Sequence, residues 1–243
     1  MAESATSLRR GLAILGALGD GEQHGVTRIA ELVGREKSQV SRTLQVLAED
    51  GLVDRDPDTR AYRLGWQLFA LAARAGDSRL AESAPGKLRS LVRALGEGAH
   101  LSVLRGTDVL TVLSEAPPHA VQAVNWAGRS VPASCTSAGY ALLLDHAPDE
   151  LRALFPEAAL GLLERRLAAT RSSGYAVADE DFEPGLVAVA APVRDFRGRV
   201  VAALNVSAPK FRFEHRLDEA GAHLLEAAEE LSCGLGWSAT PAH

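Results

Sequence analysis

The stretch VTRIAELVGREKSQVSRTLQVLAEDGLVDRDPDTRAYRL, residues 26–64, decides how this chain is read. It opens as a short amphipathic helix: Thr27 is a suitable N-cap, and Ile29, Ala30 and Val33 fall on one helical face. Gly34 then supplies a turn, because glycine enters the left-handed conformation that ends a helix without steric cost. A second helix follows. Ser38 is placed to cap it, and Val40, Leu44 and Leu47 recur at i, i+4 and i+7 and point inward. That spacing leaves Lys37, Ser38, Gln39, Ser41, Arg42 and Gln45 on or near the outer face. Arg and Lys pair with guanine, Gln with adenine and Ser with either, so such a face suits a DNA major groove. Taken alone, the same helix would pass for a solvated surface. The order around it favours DNA: helix, glycine turn, helix, a stop at Gly51, then the turn residues Asp56-Pro57-Asp58-Thr59 ahead of a strand-like Ala61-Tyr62-Arg63-Leu64. A hairpin there would be the wing of a winged helix. Arg55, Arg60 and Arg63 would lie along or beside it, where guanidinium groups hold the phosphate backbone and fix the register.

Charge is the main point against this reading. The chain of 243 residues carries a formal net charge of -5. Residues 1–65 hold nine Lys/Arg against ten Asp/Glu. The distribution partly answers it. Glu49, Asp50, Asp54, Asp56 and Asp58 gather after the second helix, whereas Arg35, Lys37 and Arg42 lie at its entrance and on its exposed side. Each phosphate neutralised adds only ~0.9 to the salt slope, so a monomer should bind poorly and dimerisation should be required.

The length suits two domains rather than one. The N-terminus is polar and lacks the apolar run of a signal peptide, and no apolar run approaches the ~20 residues that span a bilayer, so a cytoplasmic protein with no membrane partner is expected. Cys135 and Cys233 lie far apart with no metal-ligand spacing, which argues against a disulfide framework or structural zinc; no cofactor and no metal are expected. From Trp66 to about Ala75 an apolar-rich helix is expected, followed by the break Gly76-Asp77-Ser78 and a second helical stretch in which Pro85 marks a start or kink. Leu68, Phe69 and Leu71 would be exposed on the first of these helices unless covered by their own domain or by a second copy of the chain.

From about His100 strands alternate with helices. Leu101–Leu104 and Val109–Leu113 flank a hairpin signal at Gly106-Thr107-Asp108, and Ala120–Val124 reads as a third strand. Helices follow near Ala138–His146, Pro148–Phe155 and Leu160–Ser172. Strands are then expected at Tyr175–Ala178, Leu186–Val193 and Val200–Ser207, with Asp195-Phe196-Arg197-Gly198 as the turn between the last two. A final helix, about Glu214–Leu235, carries Leu217, Leu224 and Leu231 at heptad spacing, better suited to packing across the sheet than to a separate coiled coil. The fold class is α+β, an antiparallel sheet with helices packed on it, behind the winged helix-turn-helix.

At this level the residues resemble the IclR family of bacterial transcriptional regulators along nearly the whole chain. Ser7-Leu8-Arg9-Arg10-Gly11-Leu12-Ala13-Ile14-Leu15 looks like that family's opening helix, and Lys37–Leu44 like its reader helix. Arg55–Gly65 is similar to the wing, except that Arg60 stands where the family usually has Gly and Ala61 where it usually has Arg. A non-glycine residue in a left-handed turn costs about 1 kcal/mol, so Arg60 either strains the turn or takes it into another type. Val131-Pro132-Ala133-Ser134-Cys135-Thr136-Ser137-Ala138-Gly139, Gly174–Val177, Gly185–Val193 and Ala202–Ser207 match the family's effector domain, which is similar to GAF domains. The resemblance implies three parts: a winged helix-turn-helix over 1–65, a helical linker for dimerisation over 66–98, and an effector-binding domain over 99–243. It implies a homodimer or dimer of dimers on double-stranded operator DNA, with repression the expected sign, and it adds Arg9 to the DNA-binding set.

For the effector, Ser137-Ala138-Gly139 opens a helix whose free N–H groups suit a carboxylate, and Asn205 and Ser207 share one face of a strand. Capping and ordinary strand polarity explain each of these singly; together, at the family's positions, they favour an anion site. By resemblance the pocket also includes Ala123, Val131, Cys135, Tyr140, Ala178 and Ala188. Small apolar walls at 123, 131, 178 and 188 point to an organic acid with an aromatic or aliphatic body. Tyr140, where Lys is usual, would stack on the ligand or pack in the interface. Two rivals stay open. One is an enzyme using Cys135 with His119 or His146, and Asp179, Glu180 and Asp181 as acid-base or metal groups; no nucleophile elbow, P-loop, dinucleotide glycine motif or HExxH supports it. The other is a small-molecule sensor that has lost DNA recognition.

Overall fold

The computed structural model describes residues 2–75, 78–117 and 126–238. The chain divides into two compact units, the first ending at Ser78 and the second starting at Arg79. In the first, α1 (Ala2–Ala17), α2 (Val26–Leu32) and α3 (Lys37–Glu49) precede a ribbon of β1 (Val53–Arg55) and β2 (Tyr62–Leu64), and α4 (Trp66–Ala75) follows. Ile14, Leu18, Ile29, Val40, Leu44, Val53 and Tyr62 close its core. The inward stripe of α3 is therefore the one its periodicity predicts. The caps are not. Gly25 precedes α2 and Glu36 precedes α3, neither bonding through a side chain, so Thr27 and Ser38 lie inside their helices. The backbone does the capping: Gly34 at φ +61° lets the Arg35 N–H reach the Ala30 carbonyl, and the Glu36 carbonyl takes the Gln39 and Val40 N–H groups.

Asp56 builds the wing turn. Its Oδ1 accepts from the Asp58 and Thr59 N–H groups at 2.9 and 2.8 Å, and its backbone closes onto Ala61 and Arg60. Arg60 itself takes the left-handed conformation, φ 58°. The ribbon thus keeps the turn that glycine would adopt and bears the strain. Arg60→Gly should stabilise the first unit by about 1 kcal/mol and raise its unfolding temperature by a few degrees in a thermal scan of the full chain. No rise would mean that Arg60 relieves its strain through a contact of its own.

The second unit takes in α5 (Ser78–Leu95) from its second residue, then β3 (Gly98–Arg105), β4 (Asp108–Glu115), β5 (Ser130–Pro132), α6 (Ser137–Leu142), α7 (Pro148–Leu154), α8 (Glu157–Ser173), β6 (Ala176–Asp179), β7 (Leu186–Arg194), β8 (Val200–Pro209), α9 (Lys210–Phe213) and α10 (Leu217–Gly234). The six strands form one antiparallel sheet in the order β5-β4-β3-β8-β7-β6. The strand expected at Ala120–Val124 lies outside the described residues; β5 and the short α9 were not foreseen. Pro85 lies inside α5.

Alternation sorts the sheet into two faces. Val187, Val189, Ala191 and Val193 of β7 and Ala202, Leu204, Val206 and Ala208 of β8 meet α5 and α10, where Leu224 and Leu231 are buried as core. The opposite face carries Ala188, Ala190, Ala203, Asn205 and Ser207, small enough for α6 to sit close against the strands. All six residues of α6 are buried. This small-residue face positions the cavity described next.

Candidate nucleic-acid interface and ligand cavity

On α3, Lys37, Ser38, Ser41, Arg42 and Gln45 are exposed and form one stripe, because they recur at helical spacing opposite Val40, Leu44 and Leu47. Gln39 is half-buried and lines a groove between α1 and α3 with Arg42 and Thr43. The Arg42 Nε donates to the Ser38 carbonyl at 3.4 Å, and the Gln45 amide to Glu49 at 3.1 Å. Arg9 is exposed on α1.

The wing register pairs Arg55 with Tyr62 and Asp54 with Arg63. Directly paired residues share a face, so Arg55 and Arg63 lie on opposite faces of the ribbon. Arg55 lies over the Tyr62 ring, 5.5 Å from its centroid, and the Arg63 Nε stands 3.7 Å from the Asp54 carboxylate. A phosphate approaching one face would meet one of these arginines, with Arg60 exposed at the tip.

In the second unit a cavity of about 70 Å³ lies between the small-residue face of the sheet and the start of α6. Val131, Ser137, Ala138, Ala188, Asn205 and Ser207 line it, as expected from sequence. His100, Ser102, Val109, Thr111, Trp126, Thr136, Phe182 and Leu186 complete the lining and were missed. The register His100↔Asn205 brings β3 and β8 together across a long stretch of sequence. The Ser102 hydroxyl donates to Asn205 Oδ1 at 3.1 Å; His100 Nδ1 lies 2.9 Å from Ser114 Oγ and Nε2 lies 3.5 Å from Ser207 Oγ. A polar strip thus crosses three strands on an otherwise apolar floor.

Four expected pocket residues fall outside the lining. Ala178 packs within the core beside Ala188. Gly139 gives its N–H to Thr136 Oγ1 at 3.3 Å, which leaves Ser137 and Ala138 as the first-turn donors of a helix only six residues long. Tyr140 does not stack on the cavity: its ring is wholly buried and its hydroxyl donates to Asp181 Oδ2 at 3.0 Å, while Arg166 holds Oδ1 at 2.7 Å. Burial, followed by the charge of Asp181, holds the Tyr140 phenol well above its usual range. Cys135 bonds weakly to the Pro132 carbonyl, and burial, then Asp181, pushes its thiol up. Ala123 and His119 lie outside the described residues.

These contacts weaken the enzyme reading. A nucleophilic cysteine needs its thiolate favoured, and here both influences favour the thiol. Asp179 and Glu180 pair with Lys210, and Asp181 with Arg166, so the acidic triplet is spent on ion pairs.

His100 is 5% exposed and burial pushes its pKa down to about 4. The unfolded imidazole titrates near 6.5, so below that pH the unfolded state binds a proton that the native ring refuses, and stability falls as pH drops. Between pH 7 and pH 5 this ring should remove about 2 kcal/mol, a loss that His100→Gln escapes in urea titrations at the two pH values. An equal loss in variant and parent would assign the acid sensitivity elsewhere.

Known proteins share both units. A model described as the bacterial transcriptional regulator IclR C-terminal matches residues 73–233, and the IclR helix-turn-helix domain matches residues 7–57. The HTH-type transcriptional regulator KdgR of Escherichia coli (strain K12) is 31% identical over 256 residues, spanning 98% of this chain and 96% of that protein. Among solved structures, the Thermotoga maritima IclR has a TM-score of 0.70 at 25% identity, covering 96% of this chain and 100% of that one. An IclR homolog from Microbacterium hydrocarbonoxydans, complexed with 4-hydroxybenzoate, shares the fold with a TM-score of 0.71 at 24% identity, covering 94% and 98%.

Proposed function

The chain belongs to the IclR family of bacterial transcriptional regulators, and from that premise we propose that it is an acid-responsive repressor whose grip on a pseudo-palindromic operator changes when a small organic carboxylate enters the second unit. One observation carries the reading: the chain joins an exposed basic and polar stripe on α3 to a unit with a mostly apolar, hydroxyl-lined cavity. The stripe of Lys37, Ser38, Ser41, Arg42 and Gln45 would read base edges, with Gln39 at its margin. Arg9, Arg55, Arg60 and Arg63 would hold phosphates.

Residues 1–65 act as the reader, 66–98 as the linker and 99–243 as the sensor. Dimerisation falls to the linker, where α4 exposes Trp66 and Leu71 at 75% and 50%; the Phe69 side chain lies outside the described ones. The acid has an apolar body, by the small walls at Val131, Ala138 and Ala188, and a solved neighbour of the same fold holds an aromatic acid. A cavity of about 70 Å³ is tight for a benzene ring, so Trp126 and the part-exposed Phe182 would yield to admit one. A ligand that favours one arrangement of the linkers by about 1–3 kcal/mol changes occupancy about 5–150-fold.

Selecting DNA from a random pool with the full chain tests the DNA half. Enrichment of two inverted half-sites, their centres one helical turn or a multiple apart, is the expected outcome. A pool without enrichment would leave the DNA-blind sensor.

A further inference from the structure

The cavity poses an electrostatic problem for an anion. Among the described residues that line it there is no Lys, Arg, Asp or Glu. A carboxylate taken from water into such a site loses its hydration and gains only neutral hydrogen-bond donors in return. One lining group can change its own charge. His100 sits on β3 at the centre of the polar strip, hydrogen-bonded by Ser114 of β4 and Ser207 of β8, and among the described residues the side chains that line the cavity around it are neutral: Ser102 beside it, Asn205 on β8, Thr136 and Ser137 at the start of α6, and Trp126, Phe182 and Leu186 around the rim. Phe182 at that rim is flanked in sequence by Asp181, which is engaged by Tyr140 and Arg166, and by Glu183, which is exposed.

We propose that His100 is the group that recognises an anionic ligand, taking up one proton from solvent as the carboxylate enters, so that the bound state is an imidazolium–carboxylate pair. The inference rests on the acid-sensor reading above and names the residue that enforces it. The balance is simple: neutral imidazole, carboxylate anion and one solvent proton give the pair, with no bond between heavy atoms formed and nothing oxidised or reduced. Burial keeps the ring neutral while the site holds no charge, and an adjacent anion reverses that preference. The Ser114 and Ser207 hydroxyls can rotate to accept from an imidazolium that donates at both nitrogens. Two consequences follow for specificity. Neutral isosteres such as amides lose the charge partner and are rejected, and acids bind tighter as pH falls, until the acid itself protonates.

Calorimetric titration of the full chain tests this with acetate, benzoate, 4-hydroxybenzoate and, as the neutral control, benzamide. Running each in phosphate and in Tris, whose ionisation heats differ, counts the protons taken up. For the acids that bind, uptake should be about one proton, and affinity should fall about tenfold per unit as pH rises from about 5.5 to 7, flattening above the pKa that His100 has in the complex. Benzamide should not bind. His100→Gln, and His100→Asn should the first fail to fold, should lose both the uptake and the pH dependence. Acids that bind the parent with no proton uptake and a flat pH profile overturn the role of His100 and leave the acid-sensor reading standing. Uptake that persists in the variants assigns the proton to another group and also overturns it. Binding by none of the acids removes the acid-sensor reading and this inference with it.

Discussion

Arg42→Ala should weaken binding to the selected operator by between about 30-fold and 10⁴-fold while leaving thermal stability unchanged. Arg42 is exposed on the stripe of α3, and its bond within the protein is a long one to the Ser38 carbonyl, so the guanidinium is available. A good bidentate pair with guanine is worth about 1–3 kcal/mol, and a two-fold dimer makes it twice. Gln45 starts from a poorer position, since its amide is already engaged by Glu49. Anisotropy titrations on the selected and a scrambled sequence, over a range of salt, separate the possible roles. Loss on the selected site alone marks a base contact. Equal loss on both, with the salt slope reduced by about 0.9 per protomer, marks a phosphate contact. An unchanged affinity would remove Arg42, and with it the centre of the stripe, from the interface.

Gly139→Ala should destabilise the second unit by at least about 3 kcal/mol, the upper end of what overpacking costs. A Cβ on Gly139 would stand 2.0 Å from the Ala133 carbonyl oxygen and 2.5 Å from its carbon. Both are backbone atoms in a buried turn, and α6 is closed in on its other side by β7 and β8. No side chain can swing aside. Gly161→Ala on the exposed surface of α8 is the matched control, since its Cβ meets only the end of Arg165 at 3.8 Å and alanine favours a helix. Urea unfolding of the two variants should move in opposite directions. Equal stability would mean that α6 tolerates a shift away from the sheet.

The parts of this molecule that were legible in sequence are those set by local pattern. Val40, Leu44 and Leu47 define the buried face of α3 by spacing alone, and Asp56 and Gly198 mark turns by their chemistry. Arg60 was singled out by the resemblance, as a residue standing where the family usually has Gly, and its φ of 58° shows that the left-handed turn is kept. The helix caps escaped because backbone groups of Gly25 and Glu36 supply them, and a backbone carbonyl has no sequence signature. Much of the cavity escaped because its floor is made by pairing β3 with β8, a register that no local pattern encodes. A signal was present. His100 and Ser102 alternate as polar residues in an apolar strand, as Asn205 and Ser207 do in another, and polar stripes of equal spacing are candidates for one shared face. Tyr140 was open from sequence to stacking on a ligand or packing in the interface; neither reading anticipated the carboxylate of Asp181, which holds its hydroxyl inside the second unit.

The central claim is that one chain reads DNA and is told by an acid when to let go. Fluorescence anisotropy of the full chain on its selected operator and on a scrambled duplex, with and without each of a panel of aromatic and aliphatic monocarboxylates, tests it most directly. The account predicts sequence-selective binding that at least one acid shifts about 5–150-fold while its amide does not. Equal affinity for the two duplexes at every salt concentration, unmoved by any acid, would contradict it.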